Sequence, residues 1–499
     1  MAGGGALSLA FPEPSVAPLA WVALAPLLCA AREMRPVRGF ALGLVFGIGF
    51  FGLLLVWISI VGWLAWFVLV LLQSLFIAAF GACWALLSRT GTVVVRALLA
   101  AAAWVALEYV RARVPVGGFT WGQLAQSQHN IGWMLRGAGV AGGWGIAFLI
   151  TAVNALVAEA WARGRERRRQ AMLLVGAALA AIAAPSLVPA PTATGQALEV
   201  AIVQGNVPRV PGRYDSAVER ELAIAENHAR LTRALSGENV DLVVWPESSV
   251  GVDLRHNEHA RRLVSSSARA VGAPMIVGGN LYVDEGRYKV VAFEVSASGE
   301  IADLYQKTHL VPFGEYVPAR DFWTWLPQLD QIPRDAVAGS EATLFGVAGG
   351  TVAPVLSFEG DFGSLVRARI GGGGRLLVVA TNTSTWGHSW ASAQHLAFSQ
   401  LRAAENGVWS VHAAISGISA FVAPDGAVEG SLGLWRSGTL VQRLRFAETV
   451  TPYARWGDWL PWLCLAVLAV VGLVAATGAA RTSSPVRRRS ARGSQSEAR

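Results

Sequence analysis

Cysteine is scarce in this chain of 499 residues, which has three, at positions 29, 83 and 464. All three fall in apolar runs, so the polar stretch between Cys83 and Cys464 holds no thiol. That excludes a disulfide framework, a cysteine-held zinc site and a cysteine nucleophile there. Lysine is nearly absent as well: Lys289 and Lys307 are the only two among 41 basic residues. No G-x-S-x-G elbow surrounds Ser357, and "IGGGGR" (370–375) lacks the lysine of a phosphate-binding loop. "HNEH" (256–259) reads as an exposed helix start rather than a metal site. No metal and no cofactor are expected.

Long apolar runs are abundant. Hydrophobic residues make up 53% of the chain and charged ones 15%. Uncharged or nearly uncharged segments lie at 39–60, 63–88, 95–112, 138–161, 171–191 and 456–478, each about the 20 residues a helix needs to cross a bilayer. Segment 15–31 is shorter, and the opening "GGGALSLAF" is an imperfect further span. The expected organisation is a membrane domain over 1–194 with six to seven transmembrane helices, a polar block over 195–450, a last transmembrane helix over 451–480 and a basic, disordered tail over 481–499. Arginines at 32–38, 88–96, 163–170 and 481–499 fall on one side if each span crosses once, which marks the cytoplasmic face and puts 195–450 outside it. These arginines also account for most of the net charge of +8, so nucleic-acid binding need not be invoked.

Within the polar block, short β-rich apolar runs alternate with helical patterns. Strands are expected at 197–203, 241–245, 273–278, 288–296, 352–357, 375–381, 409–415 and 418–423, and helices at 215–236, 257–271, 361–370 and 390–406. This is the pattern of a layered α/β domain with active groups at strand ends. Three such ends carry chemistry: "WPES" presents Glu247, "KTHLVPFGEYVP" presents Lys307 and Glu315, and "LSFEGDF" presents Ser357 and Glu359. A carboxylate, an ammonium and a hydroxyl could supply a base, an oxyanion stabiliser and a nucleophile. Equally, the charged pairs could be solvated turn residues and Ser357 a helix cap.

"VQGNVP" (203–208), "WPES" (245–248), "KTHLVPFGEYVP" (307–318), "QHLAFSQLRAAENG" (394–407) and "GGFTWGQLAQSQ" (117–128) occur in an order that resembles bacterial apolipoprotein N-acyltransferases over nearly the whole length. The resemblance implies an eight-helix membrane part carrying an extracytoplasmic nitrilase-like αββα sandwich in the bacterial cytoplasmic membrane. It implies acyl transfer from a membrane phospholipid to the N-terminal amine of a diacylglyceryl-cysteine lipoprotein. By position, Glu247 matches the general base, Lys307 the oxyanion-side lysine, and Glu315 and Glu359 supporting glutamates. Phe358, Trp323, Trp325 and Trp386 are candidates for the substrate or lipid entry.

The departure is at the nucleophile, where the resemblance calls for Cys and this chain has Ser357. Phe358 stands where Tyr is frequent, and Thr385 where Trp is expected. A thiol ionises near pKa ~8.5, whereas a hydroxyl needs a base within reach during attack. A carboxylate of ordinary pKa is weak for that task unless burial raises it. Slow chemistry or none is therefore expected by this route. Two alternatives stay open: a scaffold or partner protein, for example of a polyprenol-phosphate mannosyltransferase, and an amidase-like hydrolase.

Overall fold

The computed structural model describes residues 1–163, 168–208, 214–323 and 327–482, leaving Trp325 and the tail 483–499 outside the described residues. The apolar runs fold as helices: α1 (Ala2–Ser8), α2 (Ala25–Ala31), α3 (Pro36–Leu54), α4 (Trp63–Leu87), α5 (Val93–Arg111), α6 (Gly132–Leu135), α7 (Ala138–Arg163) and α8 (Arg168–Ala183) precede the polar block. After it come α13 (Pro452–Trp456) and α14 (Trp459–Thr482). Among the described residues, six helices are long and apolar enough to cross a membrane, five before the polar block and one after it. Segment 17–31 is broken into a 3-10 turn (Ala17–Trp21) and α2. The break is held by Asn154 of α7, whose Oδ1 accepts from the Leu24 and Ala25 amides while Nδ2 donates to the Ala20 carbonyl.

Close packing in lipid depends on small residues. A Cβ at Gly43 of α3 would lie 2.3 Å from the Ile77 carbonyl oxygen of α4, and one at Gly81 of α4 would lie 2.2 Å from that of Gly39. At one end of the bundle, Arg32 and Arg96 converge on the Glu159 carboxylate. The polar block attaches at the opposite end, where Gln394 Nε2 donates to the Leu54 carbonyl and Glu405 Oε1 accepts from the Gly143 amide.

The block contains two sheets. The first runs β13 (Gly438–Arg445), β1 (Ala197–Gln204), β2 (Leu242–Val250), β3 (Met275–Tyr282), β4 (Arg287–Val295) and β5 (Ile301–Gln306), with β6 (Asp335–Ala336) beside β4. The second runs β12 (Val428–Leu432), β11 (Ser419–Val422), β10 (Ser410–Ala414), β9 (Leu376–Thr381), β8 (Gly350–Leu356) and β7 (Phe345–Val347). Alternation in the strands builds the layers. Leu198, Val200 and Ile202 of β1 face Val352, Leu356 and Val378 of the other sheet in one core. Ala201 and Val203 join a second core with Ala225 and Ala229 of α9 (Ala217–Arg233) and Val264 of α10 (Glu258–Val271). The other outer face is covered by α11 (Gly363–Gly371), whose Val366 and Ile370 pack on Leu377 and Val379, and by α12 (Ala391–Asn406). The result is an αββα sandwich.

The helix α12 carries "QHLAFSQLRAAEN" and is buried almost throughout. It joins the two parts of the molecule. Trp57 Nε1 donates to Gln394 Oε1, His129 Nδ1 lies 3.0 Å from Gln400 Oε1, and Gln400 Nε2 donates to the His129 carbonyl.

Candidate active site

The carboxyl ends of β2, β5, β8 and β9 meet on one side of the sandwich. Glu247 follows Pro246 near the end of β2, where the pairing with β3 shifts register and Ser248 takes φ +60°. The β3 partner must be glycine, because a Cβ at Gly278 would lie 2.6 Å from the Glu247 Cα. Glu247 is buried; its Oε2 accepts from the Asn382 amide at 3.1 Å and its Oε1 accepts from Lys307 Nζ at 2.9 Å.

Lys307 follows β5 directly and is 1% exposed. Its Nζ also donates to Glu315 Oε1 at 2.5 Å, while Glu315 Oε2 accepts from the Val311 amide at 2.7 Å. Burial alone would pull the Lys307 ammonium down, but two adjacent carboxylates outweigh it and hold the group above the ordinary lysine range. Burial pushes Glu247 up, aided by the Glu315 charge and opposed by Lys307. The carboxylate is thus a stronger base than an ordinary glutamate. The lone lysine of this loop sits between two carboxylates, a place for a compact ammonium.

Ser357 ends β8 at φ +47°, a backbone region uncommon for a residue with a side chain. It opens a 3-10 turn (Ser357–Asp361) but makes no side-chain cap. The turn is held by Glu359 instead, whose Oε2 accepts from the Leu356 amide at 2.9 Å. Its Oε1 accepts from the Tyr305 hydroxyl at 2.6 Å, the Thr308 hydroxyl at 2.7 Å and the amides of Thr308 and His309. Arg369 of α11 reaches both Glu359 and the Tyr305 hydroxyl. Glu359 therefore fastens the serine turn to the lysine strand, with its oxygens occupied by donors.

The register of β8 and β9 decides who stands next to the serine. Leu356 pairs with Ala380 in parallel, so the following residues, Ser357 and Thr381, lie side by side. Thr381 Oγ1 donates to Ser357 Oγ at 3.1 Å. Asn382, the next residue, holds Glu247. Thr381 Oγ1 is also 2.8 Å from His395 Nε2, and His395 Nδ1 is 2.8 Å from Asp361 Oδ1. Nothing in their own segments marks Thr381, His395 or Asp361; only the sheet register and the seating of α12 bring them together. Of the other nearby hydroxyls, Thr383 pairs with Ser392, Ser384 with Asn382, and Thr385 is exposed.

Phe358 is buried in an aromatic group shared with the membrane part. Its ring stacks near His309 (centroids 5.6 Å) and Trp121 (6.1 Å), and Trp121 contacts Phe398 and Trp57. Trp386 meets Trp57 edge-on at 4.5 Å. Trp121 belongs to "GGFTWGQLAQSQ", which explains why that loop accompanies the site motifs. Trp323 lies elsewhere, against Phe313 and Phe322, with Nε1 donating to the Pro318 carbonyl. Among the described residues, no group of three or more His, Cys, Asp or Glu could hold a metal ion, and His259 of "HNEH" pairs with Glu226.

The family profile of the carbon-nitrogen hydrolases matches residues 199–452, the two-sheet sandwich whose strand ends carry the buried Glu247–Lys307–Glu315 cluster. The profile of the apolipoprotein N-acyltransferase N-terminal domain matches residues 3–156. The apolipoprotein N-acyltransferase of Geobacter metallireducens is 33% identical over 474 residues, covering 91% of this chain and 90% of the relative. That of Gloeobacter violaceus is 30% identical, covering 92% and 89%. The chain belongs to the apolipoprotein N-acyltransferase family. Among solved structures, an amidase from Nesterenkonia sp. AN1 aligns with 52% of this chain and 93% of its own, at TM-score 0.39 and 19% identity. The full-length likeness to acyltransferases does not favour the scaffold or amidase alternatives, and none of these relatives points to a glycosyltransferase partner.

Proposed function

We propose that this multi-pass membrane protein is an apolipoprotein N-acyltransferase that works through an acyl-enzyme on Ser357. The donor is a membrane phospholipid and the acceptor the N-terminal amine of a diacylglyceryl-cysteine lipoprotein. The observation that carries the reading is the pair of neighbours Thr381 and Asn382, which hold Ser357 and the buried base Glu247 at one place.

In the first step Ser357 Oγ bonds to the acyl carbonyl carbon as its proton passes to Glu247. The Lys307 ammonium faces the negative oxygen that develops. The C–O bond to glycerol then breaks, and the lysophospholipid alcohol leaves with the proton from Glu247. In the second step the lipoprotein amine attacks the ester, gives a proton to Glu247, and Ser357 Oγ takes that proton back as the amide is released. Glu315 fixes Lys307, and Glu359 fixes the turn that carries Ser357. The Phe358–Trp121–Trp57–Trp386 group, at the seam with the membrane helices, suits an acyl chain arriving from the bilayer. The Trp323–Phe322 lip, with Phe322 67% exposed, suits contact with the membrane interface.

Charge supports one side of the membrane. Arg32 and Arg96 gather at the bundle end remote from the sandwich, and arginine-rich ends stay in the cytoplasm, which supports an extracytoplasmic sandwich.

The reading is tested by incubating a diacylglyceryl-cysteine peptide with the purified protein in phospholipid vesicles and following peptide mass. A gain of one acyl chain that disappears in Ser357→Ala supports it; an unchanged peptide with the native protein refutes it.

A further inference from the structure

The reading above leaves a chemical gap, because a hydroxyl is far harder to ionise than the ~8.5 of a thiol. The line Asp361–His395–Thr381–Ser357 fills it. All three partners are buried: Asp361 is fully enclosed, His395 is 2% exposed and Thr381 0%. Thr381 has one proton and donates it to Ser357 Oγ, so its oxygen accepts from His395, which must carry hydrogen on Nε2. Asp361 Oδ1 meets the other ring nitrogen, Nδ1. Whether the shared proton lies on the carboxyl or on the ring, every bond in the line from His395 onward donates toward the serine oxygen. The ring is further fixed by His412 (centroids 5.1 Å), itself tied to Ser399, and by Trp121 (6.2 Å).

Resting on the acyl-enzyme reading, we propose that Thr381 is a further catalytic residue: its hydroxyl donates the hydrogen bond that stabilises the alkoxide forming on Ser357, and His395 and Asp361 are positioning residues that hold it in that polarity. As the Ser357 proton moves to Glu247, negative charge builds on Oγ and the hydrogen bond from Thr381 shortens toward it, the Thr381 proton staying on Thr381. The bond relaxes once Oγ is bonded to the acyl carbon and the charge has passed to the carbonyl oxygen that faces Lys307. A thiolate, already ionised and a weak hydrogen-bond acceptor, would draw little from this donor. The line is therefore a device by which a hydroxyl replaces a thiol at this position.

The test measures the burst of p-nitrophenolate as p-nitrophenyl butyrate acylates the full-length protein in phospholipid vesicles, with Ser357→Ala as baseline. The readout needs no lipoprotein. Removing one preorganised donor to an oxyanion costs roughly 10²-fold, so Thr381→Val should slow the burst by about that factor in the native protein, and by less than about 3-fold in the Ser357→Cys background. Thr381→Ser should restore it. His395→Gln and Asp361→Asn should slow the native burst and leave that of Ser357→Cys nearly unchanged. A retained burst in Ser357→Cys/Thr381→Val also shows that the variant folds; Thr381→Ala is carried alongside in case it does not. Equal loss in both backgrounds, or a native burst no larger than that of Ser357→Ala, overturns the proposal. A Thr381-dependent burst without peptide acylation would leave the donor line standing and refute the acceptor assigned above. Peptide acylation indifferent to Thr381→Val would do the reverse.

Discussion

Lys307 Nζ donates a 2.9 Å hydrogen bond to Glu247 Oε1, joining two strand ends that lie 60 residues apart in the chain. Neither side chain reaches solvent appreciably, and the second carboxylate, Glu315, closes the cluster. Such a group is costly to desolvate and more costly to break, since either partner alone becomes an uncompensated buried charge.

Lys307→Met should therefore lower stability by about 3–5 kcal/mol and abolish acyl transfer, because Glu247 and Glu315 are left facing each other. Denaturant or thermal unfolding in detergent measures the first, and the peptide assay the second. Lys307→Arg should rescue neither, because the fork does not fit between two carboxylates already held by the Asn382 and Val311 amides.

The acid limb of activity should lie above the ordinary glutamate value of 4.5, since burial raises Glu247 and the reaction needs its carboxylate form. Activity thus falls as pH drops through that raised value. Lys307 is held above its ordinary 10.5, so it should contribute no alkaline limb below that pH. The check is a rate–pH profile for p-nitrophenyl butyrate; an acid limb at or below 4.5 would contradict the assignment.

His228 gives a stability prediction away from the site. It is fully buried, accepts from the Gly205 amide at 3.1 Å and lies 2.8 Å from the Ile224 carbonyl, and burial lowers it to about 4 from 6.5. The unfolded chain takes up a proton below 6.5 that the folded chain refuses until about 4, so stability is full above 6.5 and is lost as pH falls through that window. The loss should approach about 3 kcal/mol. Unfolding at pH 7, 5.5 and 4 should show it, and His228→Gln should flatten that part of the dependence.

Glu359→Gln should cost about 1–3 kcal/mol and slow acylation. Its Oε1 and Oε2 both accept, and an amide nitrogen would confront either the Leu356 amide or the Tyr305 and Thr308 donors. The serine turn would then lose its anchor. A Km that holds while kcat falls would match a displaced nucleophile; an unchanged kcat would contradict the anchoring role.

The buried strands were legible because their apolar runs are continuous, as in "ALEVAIV" and "RLLVVAT". β5 and β12 escaped because they are largely exposed and carry no such run. β13, "GTLVQRLR", carries only a short apolar pair and a lone leucine, and lies at the sheet edge, pairing with β1 across more than two hundred residues. At the site, Glu247, Lys307, Glu315 and Glu359 could be read at strand ends and from the resemblance. Thr381, His395 and Asp361 could not. Each is an ordinary residue in its own segment, and their meeting with Ser357 depends on the β8–β9 register and on the seating of α12 against the membrane helices.

The central claim is that Ser357 carries the acyl chain. The direct measurement is to incubate the full-length protein with a phospholipid of defined acyl chains and no acceptor, digest it, and read the mass of the peptide containing residue 357. The account predicts one acyl chain attached at Ser357, absent in Ser357→Ala and discharged when the diacylglyceryl-cysteine peptide is added. Peptide acylation proceeding with no acyl mass on Ser357, or with the chain on another residue, would contradict it.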